Sequence, residues 1–238
     1  MFNHFFLICF ISGLSLSPSI SAQTFQSSNT QNQLLELFSS QGCSSCPPAE
    51  RWVSKQLNHP ELWNQFIPIV FHVDYWDYLG WKDPFSSKSY SERQRMYHHQ
   101  GGISSVYTPG MLLNGQEWRG WYRGHKLPLS QLNPGVLSAE LHDNNLKVKF
   151  EHNTPLILNV SLLGFGLKTE VIRGENRGKH FSENFVVLNK VTALSTDGKW
   201  DLIIPTDSKF SAERYALAIW VSKTDSLQPI QATGGWIK

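Results

Sequence analysis

Leu34-Leu35-Glu36-Leu37-Phe38-Ser39-Ser40-Gln41-Gly42-Cys43-Ser44-Ser45-Cys46-Pro47-Pro48 is the stretch on which the reading of this chain turns. A short apolar run leads through small and polar residues to two cysteines three positions apart, and then to two prolines. The run has the length of a strand covered on both faces. The Cys-x-x-Cys spacing lets two thiols meet, close a small ring and reopen it. Beyond the prolines, residues 49–57 carry Trp52, Val53 and Leu57 at helical spacing until Asn58-His59-Pro60 ends the pattern. Phe66-Ile67-Pro68-Ile69-Val70-Phe71-His72-Val73 is a second buried strand. Strand, helix, strand predicts a βαβ unit with a right-handed crossover.

Open α/β sheets carry their sites at the C-terminal edges of parallel strands. Asp74-Tyr75-Trp76-Asp77-Tyr78-Leu79-Gly80-Trp81-Lys82-Asp83-Pro84-Phe85 leaves the second strand at that edge, on the same side as Cys43. The next helix is predicted from Ser89, where Ser89-x-x-Glu92 spells a capping box, to about Gln100, with Gly101-Gly102 stopping it. Asn114-Gly115 between apolar runs signals a two-residue hairpin. Pro109 stands just before the first hairpin strand, where a proline loses no ladder bond and a cis peptide makes a sharp entry turn.

From residue 134 the texture changes. Leu137, Ala139 and Leu141, then Leu146, Val148 and Phe150, alternate with polar residues around Asp143-Asn144-Asn145. Further strand candidates occupy residues 156–163, 167–172, 185–194, 200–204, 215–222 and 230–236. Many short strands without helical periodicity predict a β-sandwich. The expected architecture is an α/β domain over residues 33–133 followed by an all-β sandwich-like domain over residues 134–238.

A net charge of +2 with 17% charged residues gives no electrostatic footprint for nucleic acid or for a membrane surface. Residues 1–22 read as a signal peptide: the apolar run 5–16 is too short to span a bilayer, and small residues lead to a cleavage site after Ala22. A polar segment, 23–32, follows. The expectation is an exported protein, periplasmic or extracellular, without stable membrane insertion. Export removes Cys9 and leaves Cys43 and Cys46 as the only cysteines. One close pair is no disulfide scaffold, and so short a loop stabilises little by chain entropy, so reactivity is the better reading of the pair.

Residues 38–49, 73–85 and 106–109, with Glu92-Arg93-Gln94 and Arg173-Gly174-Glu175-Asn176, together resemble a secreted bacterial thioredoxin-like family known as a domain of unknown function. The resemblance implies a thioredoxin-like α/β domain in which a cis-proline, here Pro109, faces the cysteine pair, positions substrate backbone and shields the thiolate. It also implies that Cys43 attacks and Cys46 resolves. Asp74 is a candidate proton relay beside them, and Tyr75, Trp76, Trp81, Tyr107 and Thr108 are candidate substrate contacts. Pro47-Pro48 works against activation, because both prolines disfavour helix in the preceding residue and place Cys43 upstream of the helix start. The charges of Arg173-Gly174-Glu175-Asn176-Arg177-Gly178 are expected to be solvated. Cys-x-x-Cys is also half of a tetrahedral zinc site, which His72 or His98-His99 would have to complete. No second pair exists and adjacent helical histidines diverge, so neither a metal nor a cofactor is expected.

Thiol–disulfide exchange with a protein or small-molecule thiol is therefore the leading expectation. The alternative is a non-catalytic binding module using the aromatic loop 74–85 and the β domain.

Overall fold

The computed structural model describes residues 22–206 and 208–238, so the expected leader, with Cys9, lies outside the described residues apart from Ala22. The elements in chain order are β1 (Gln23–Gln26), β2 (Gln33–Ser39), α1 (Pro47–Ser54), β3 (Phe66–His72), α2 (Lys88–His99), β4 (Gly110–Leu113) and β5 (Gln116–Glu117). They continue with β6 (Ser138–His142), β7 (Asn145–Lys149), β8 (Leu156–Phe165), β9 (Leu167–Glu170), β10 (His180–Glu183) and β11 (Val186–Ser195). β12 (Lys199–Ile203), β13 (Arg214–Lys223) and β14 (Pro229–Trp236) complete the chain. A 3-10 turn, Lys55–Asn58, prolongs α1.

β2 and β3 are parallel and buried along their whole length, with α1 between them in sequence. β4 returns antiparallel to β2 and turns into β5 through Asn114-Gly115, both at positive φ, which is the backbone that a tight hairpin of this type requires. α2 is capped by Ser87, whose hydroxyl accepts from the Ser89 amide, so the helix starts before the predicted capping box at Ser89.

The expected fold class, a thioredoxin-like α/β domain followed by an all-β sandwich-like domain, is not the one the chain adopts. The molecule is mostly β, and no self-contained α/β thioredoxin core closes around β2 and β3. One eight-stranded sheet, in the order β14-β13-β8-β11-β3-β2-β4-β5, runs through both halves of the chain. β11 lies parallel to β3, with Val186 opposite Val70, and the Val70 amide donates to the Phe185 carbonyl at 2.8 Å.

The physical reason is that β3 is apolar on both faces and would otherwise present an open edge, which a strand from the second half satisfies. Alternation in the later strands then serves two cores at once. Leu163 and Phe165 of β8 and Ala216, Ala218 and Trp220 of β13 pack with Leu34, Phe38 and Phe71 under the helices. Leu158, Val160 and Leu162, with Leu217, Ile219 and Val221, face the opposite way onto a four-stranded sheet of β1, β6, β7 and β12. Phe165 and Phe185, ring centroids 4.9 Å apart, meet Trp63 from the first half of the chain. Each fully buried Leu or Phe at this junction contributes about 1.5–3 kcal/mol, so the two halves hold each other in place.

α2 is fastened to the sheet by a buried polar cluster. Arg93 Nε donates to Glu36 Oε2 at 2.8 Å and its Nη2 donates to the Tyr97 hydroxyl at 2.9 Å. The guanidinium also lies over the rings of Phe71 and Trp220, 5.4 and 5.3 Å from their centroids. Burial opposes the Arg93 charge, but Glu36 more than offsets it and holds the guanidinium protonated.

Candidate functional site

The chain leaves β2 and makes a tight loop in which Cys43 N donates to Ser40 O at 3.1 Å and Cys46 N to Cys43 O at 3.3 Å. Cys43 and Cys46 are joined in a disulfide, with their Cα atoms 5.5 Å apart. Both cysteines are buried, while Ser44 and Ser45 between them are exposed. Cys43 Sγ is 3.4 Å from the Ser45 hydroxyl.

α1 begins at Pro47 with Cys46 as its N-cap. The first two helical residues therefore lack an N–H, and the amides of Ala49 and Glu50 donate to Cys46 O at 2.9 and 3.2 Å. That leaves no helix N-terminal amide of this first turn turned toward Cys43. The macrodipole gives the Cys43 sulfur little help as an anion.

Two distant segments hold this loop. Asn176 is fully buried, and its Nδ2 donates to the carbonyls of Gln41 at 2.8 Å and Cys43 at 3.0 Å. Glu175 accepts from the Ser44 amide at 3.3 Å. The charges of the 173–178 turn are exposed, as expected, but the asparagine among them clamps the cysteine loop. From the other side, Trp81 Nε1 donates to Gln41 Oε1 at 3.0 Å and Asp83 Oδ2 accepts from the Gln41 amide at 2.8 Å.

Beneath the loop lies a second buried polar cluster. Asp83 Oδ2 is 2.7 Å from His72 Nδ1, and Gln41 Nε2 donates to Glu183 Oε2 at 2.6 Å. Glu183 Oε1 stands 3.8 Å from His72 Nε2, within ion-pair range but too far for a hydrogen bond, and neither atom has a hydrogen-bond partner. Glu50 enters from the first turn of α1, its carboxylate accepting from the Ser39 hydroxyl. Burial works against charge on His72, but Asp83 outweighs it, with help from Glu183 and Glu50, and the imidazole is raised to about 10. Burial likewise opposes charge on Asp83, while His72 and the Gln41 and Phe85 amides pull its carboxyl below the usual range. Burial and repulsion from Glu50 push Glu183 well above it.

The third side is the peptide before β4, where Thr108–Pro109 is cis. Trp76 links this peptide to the cysteine loop. Its Nε1 donates to Thr108 Oγ1 at 2.7 Å, and a Cβ placed on Gly42 would meet the Trp76 Cβ at 3.0 Å, so Gly42 admits the tryptophan. Tyr75 donates to Gln94 Oε1 at 3.0 Å, and Gln94 Nε2 donates to the Tyr107 carbonyl at 2.6 Å. Burial pushes the Tyr75 hydroxyl up to about 12. Tyr107 donates to Glu117, which also accepts from Arg119 Nε at 2.8 Å. Burial, with the bond to Glu117, pushes Tyr107 up to about 12; burial opposes charge on Glu117, but the donors bring it down to about 2. A cleft of about 270 Å3 opens here between Pro109, Tyr107, Arg119, Trp121 and Tyr122.

Of the residues singled out from sequence, Trp76 packs on the cysteine loop at Gly42 and donates to Thr108, the neighbour of Pro109, and Trp81 reaches the loop through Gln41. Asp74 faces α2 instead: its amide donates to Ser91 Oγ at 3.1 Å and its carboxylate accepts from the Ser91 hydroxyl. Gln41, His72, Asp83, Asn176, Glu183 and Gln94 are the additions. The available signals were a histidine inside a continuous apolar strand and the motifs that hold Gln94 and Asn176; Glu183 carries none, because it arrives from the second half of the chain.

No curated protein matches this chain. Among solved structures, protein AGR_C_4864 from Agrobacterium tumefaciens is similar at 23% identity and a TM-score of 0.57, covering 87% of this chain and 94% of its own. HBP35 of Porphyromonas gingivalis is similar at 14% identity and a TM-score of 0.55, over 88% of this chain and 76% of its own. At these identities the likeness concerns the fold alone. A family model described as "Protein of unknown function (DUF1223)" matches residues 34–222, most of the eight-stranded sheet and the whole cysteine loop, and the chain belongs to that family.

Proposed function

We propose that this protein exchanges thiols and disulfides through Cys43 and Cys46. The observation that carries the reading is Trp76, which packs on Gly42 next to Cys43 and donates to Thr108, so that one side chain links the cysteine loop to the segment that carries Pro109. A substrate thiolate attacks Cys43 Sγ, the Cys43–Cys46 bond breaks, and Cys46 leaves as a thiolate and takes a proton. A second substrate thiolate then attacks the mixed disulfide. The substrate leaves as a disulfide, having given two electrons, and both cysteines are reduced. The Ser45 hydroxyl, 3.4 Å from Cys43 Sγ, donates to that sulfur when it carries charge. In the reverse direction Cys43 is the nucleophile. Substrate backbone lies along the cleft beside Pro109, and the leader-like residues 1–22 direct this chemistry to an oxidising compartment outside the cytoplasm.

The test is titration of the folded protein in a dithiol redox buffer, with thiol labelling and a dithiol-oxidation assay. Reversible reduction, with oxidase activity lost in Cys43→Ser, is the expected result. A disulfide that resists the most reducing poise, or activity untouched in Cys43→Ser, overturns it. Burial of both cysteines favours a second reading, a binding module on an inert disulfide loop. That reading expects Trp121→Ala and Tyr122→Ala to abolish ligand capture while Cys43→Ser leaves it intact.

A further inference from the structure

We propose that Glu50, His72 and Glu183 bind a single divalent transition-metal cation, Zn2+ being the best fit, at a site that excludes both cysteines. The three side chains come from α1, β3 and β10 and each offers one ligand atom, all within 4.8 Å of one another. Proximity of acids alone would mean little. The independent observation is that His72 Nε2 and Glu183 Oε1, on side chains 0% and 3% exposed, point into this space with no hydrogen-bond partner. Burying such groups without a partner is costly, so a ligand that satisfies both is favoured.

The separation suits a metal and not a hydrogen bond. Two ligand atoms about 2.1 Å from one cation lie about 3.4 Å apart at the tetrahedral angle and about 3.8 Å apart near 130°. His72 Nε2 and Glu183 Oε1 are 3.8 Å apart. Glu50, half-buried on the first turn of α1, completes the set, its ligand atom within 4.8 Å of the other two. One nitrogen and two carboxylate oxygens, with a fourth position for water, is a donor set that zinc accepts.

The surroundings match what metal ligands need. Asp83 Oδ2, 2.7 Å from His72 Nδ1, fixes the ring so that Nε2 faces the site, the carboxylate–histidine–metal arrangement. Gln41 Nε2 holds Glu183 by its other oxygen, and Ser39 holds Glu50. Three carboxylates surround one imidazole, an arrangement of donors that suits a divalent cation. Through Gln41, Glu183 also touches the loop that carries Cys43, which places the cation beneath the disulfide without involving a sulfur.

The full chain, disulfide intact and stripped with a chelator, is titrated with Zn2+ alone against a competing indicator at neutral pH. The expected result is one equivalent bound, unchanged in Cys43→Ser/Cys46→Ser, and weakened at least tenfold in Glu183→Gln and His72→Gln. Asp83→Asn, acting through His72, is expected to weaken binding about 10–100-fold. Stoichiometric binding that survives Glu183→Gln, binding that disappears with the cysteines, or no binding at all overturns the proposal. If Glu183→Gln or His72→Gln does not fold, Glu50→Gln decides in the same assay: an unweakened affinity there overturns it.

Discussion

Two buried polar clusters lie in the first half of the eight-stranded sheet, and they are built on opposite principles. Around Arg93 the charges balance: one guanidinium, one carboxylate from Glu36, and the Tyr97 hydroxyl between them, with aromatic rings above and below. Around His72 they do not. Three carboxylates, Asp83, Glu183 and Glu50, share a single imidazole, and two facing atoms remain unpaired. Both clusters take side chains from elements far apart in sequence, so both tie the fold together. A closed cluster needs nothing further, whereas an open and acid-rich one has room for a ligand.

The sharpest way to break this contrast is to remove Arg93. Arg93→Met leaves the buried Glu36 carboxylate without its hydrogen-bonded cation and is expected to cost about 3–5 kcal/mol in urea unfolding. A loss below 1 kcal/mol would show that the cluster does not fasten α2 to the sheet.

Asn176→Ala comes next. It strands the buried carbonyls of Gln41 and Cys43 and is expected to cost about 2–3 kcal/mol. Because the clamp acts on the cysteine loop, the same variant should also speed reduction of the disulfide by a small dithiol several-fold. An unchanged reduction rate would mean the loop keeps its shape without the clamp.

A smaller effect concerns Lys190, which lies beside Arg93 and over the Trp220 ring, 5.6 Å from its centroid. Burial, then repulsion from Arg93, lowers its ammonium to about 7, against an ordinary value of 10.5. Between these values the unfolded chain binds the proton and the folded one does not, so Lys190 makes stability rise with pH across that window. Lys190→Met is expected to raise Tm at pH 7 by about 2–4 °C and to flatten the rise between pH 7 and 9. A Tm difference between the two proteins that does not change with pH would refute the assignment.

The smallest expected effect is the most diagnostic. Glu183→Gln preserves the acceptor for Gln41 and removes a crowded acid, so metal-free stability should change by less than about 1 kcal/mol. A loss as large as that of Arg93→Met would make the two clusters alike, both structural.

Much of this was legible locally. The buried runs at β2 and β3, the Asn114-Gly115 hairpin and a helix after Cys46 follow from hydrophobic patterning and from proline and glycine stereochemistry. The later strands other than β10 follow for the same reason, while β10, which carries Glu183, lies outside every expected strand. β1 was missed inside the polar segment 23–32, because pairing with β6 decides its state more than its composition does. The sharing of β8 and β13 between two cores was invisible. Their near-continuous apolar runs signal burial on both faces but not which two layers they separate, because strand order in the sheet decides that.

The cysteine pair, the glycine that admits Trp76 and the proline before β4 were determined by the sequence itself, because each acts through its own covalent geometry. Which strands share a sheet, and therefore which acids surround His72, was decided only in three dimensions. Glu183 follows Glu50 by more than a hundred residues, and no local rule couples them. They meet because β11 fills the open edge of β3 and carries the adjacent β10 with it. The unsatisfied edge of one buried parallel strand thus builds both the continuous sheet and the acid-rich cluster against the cysteine loop.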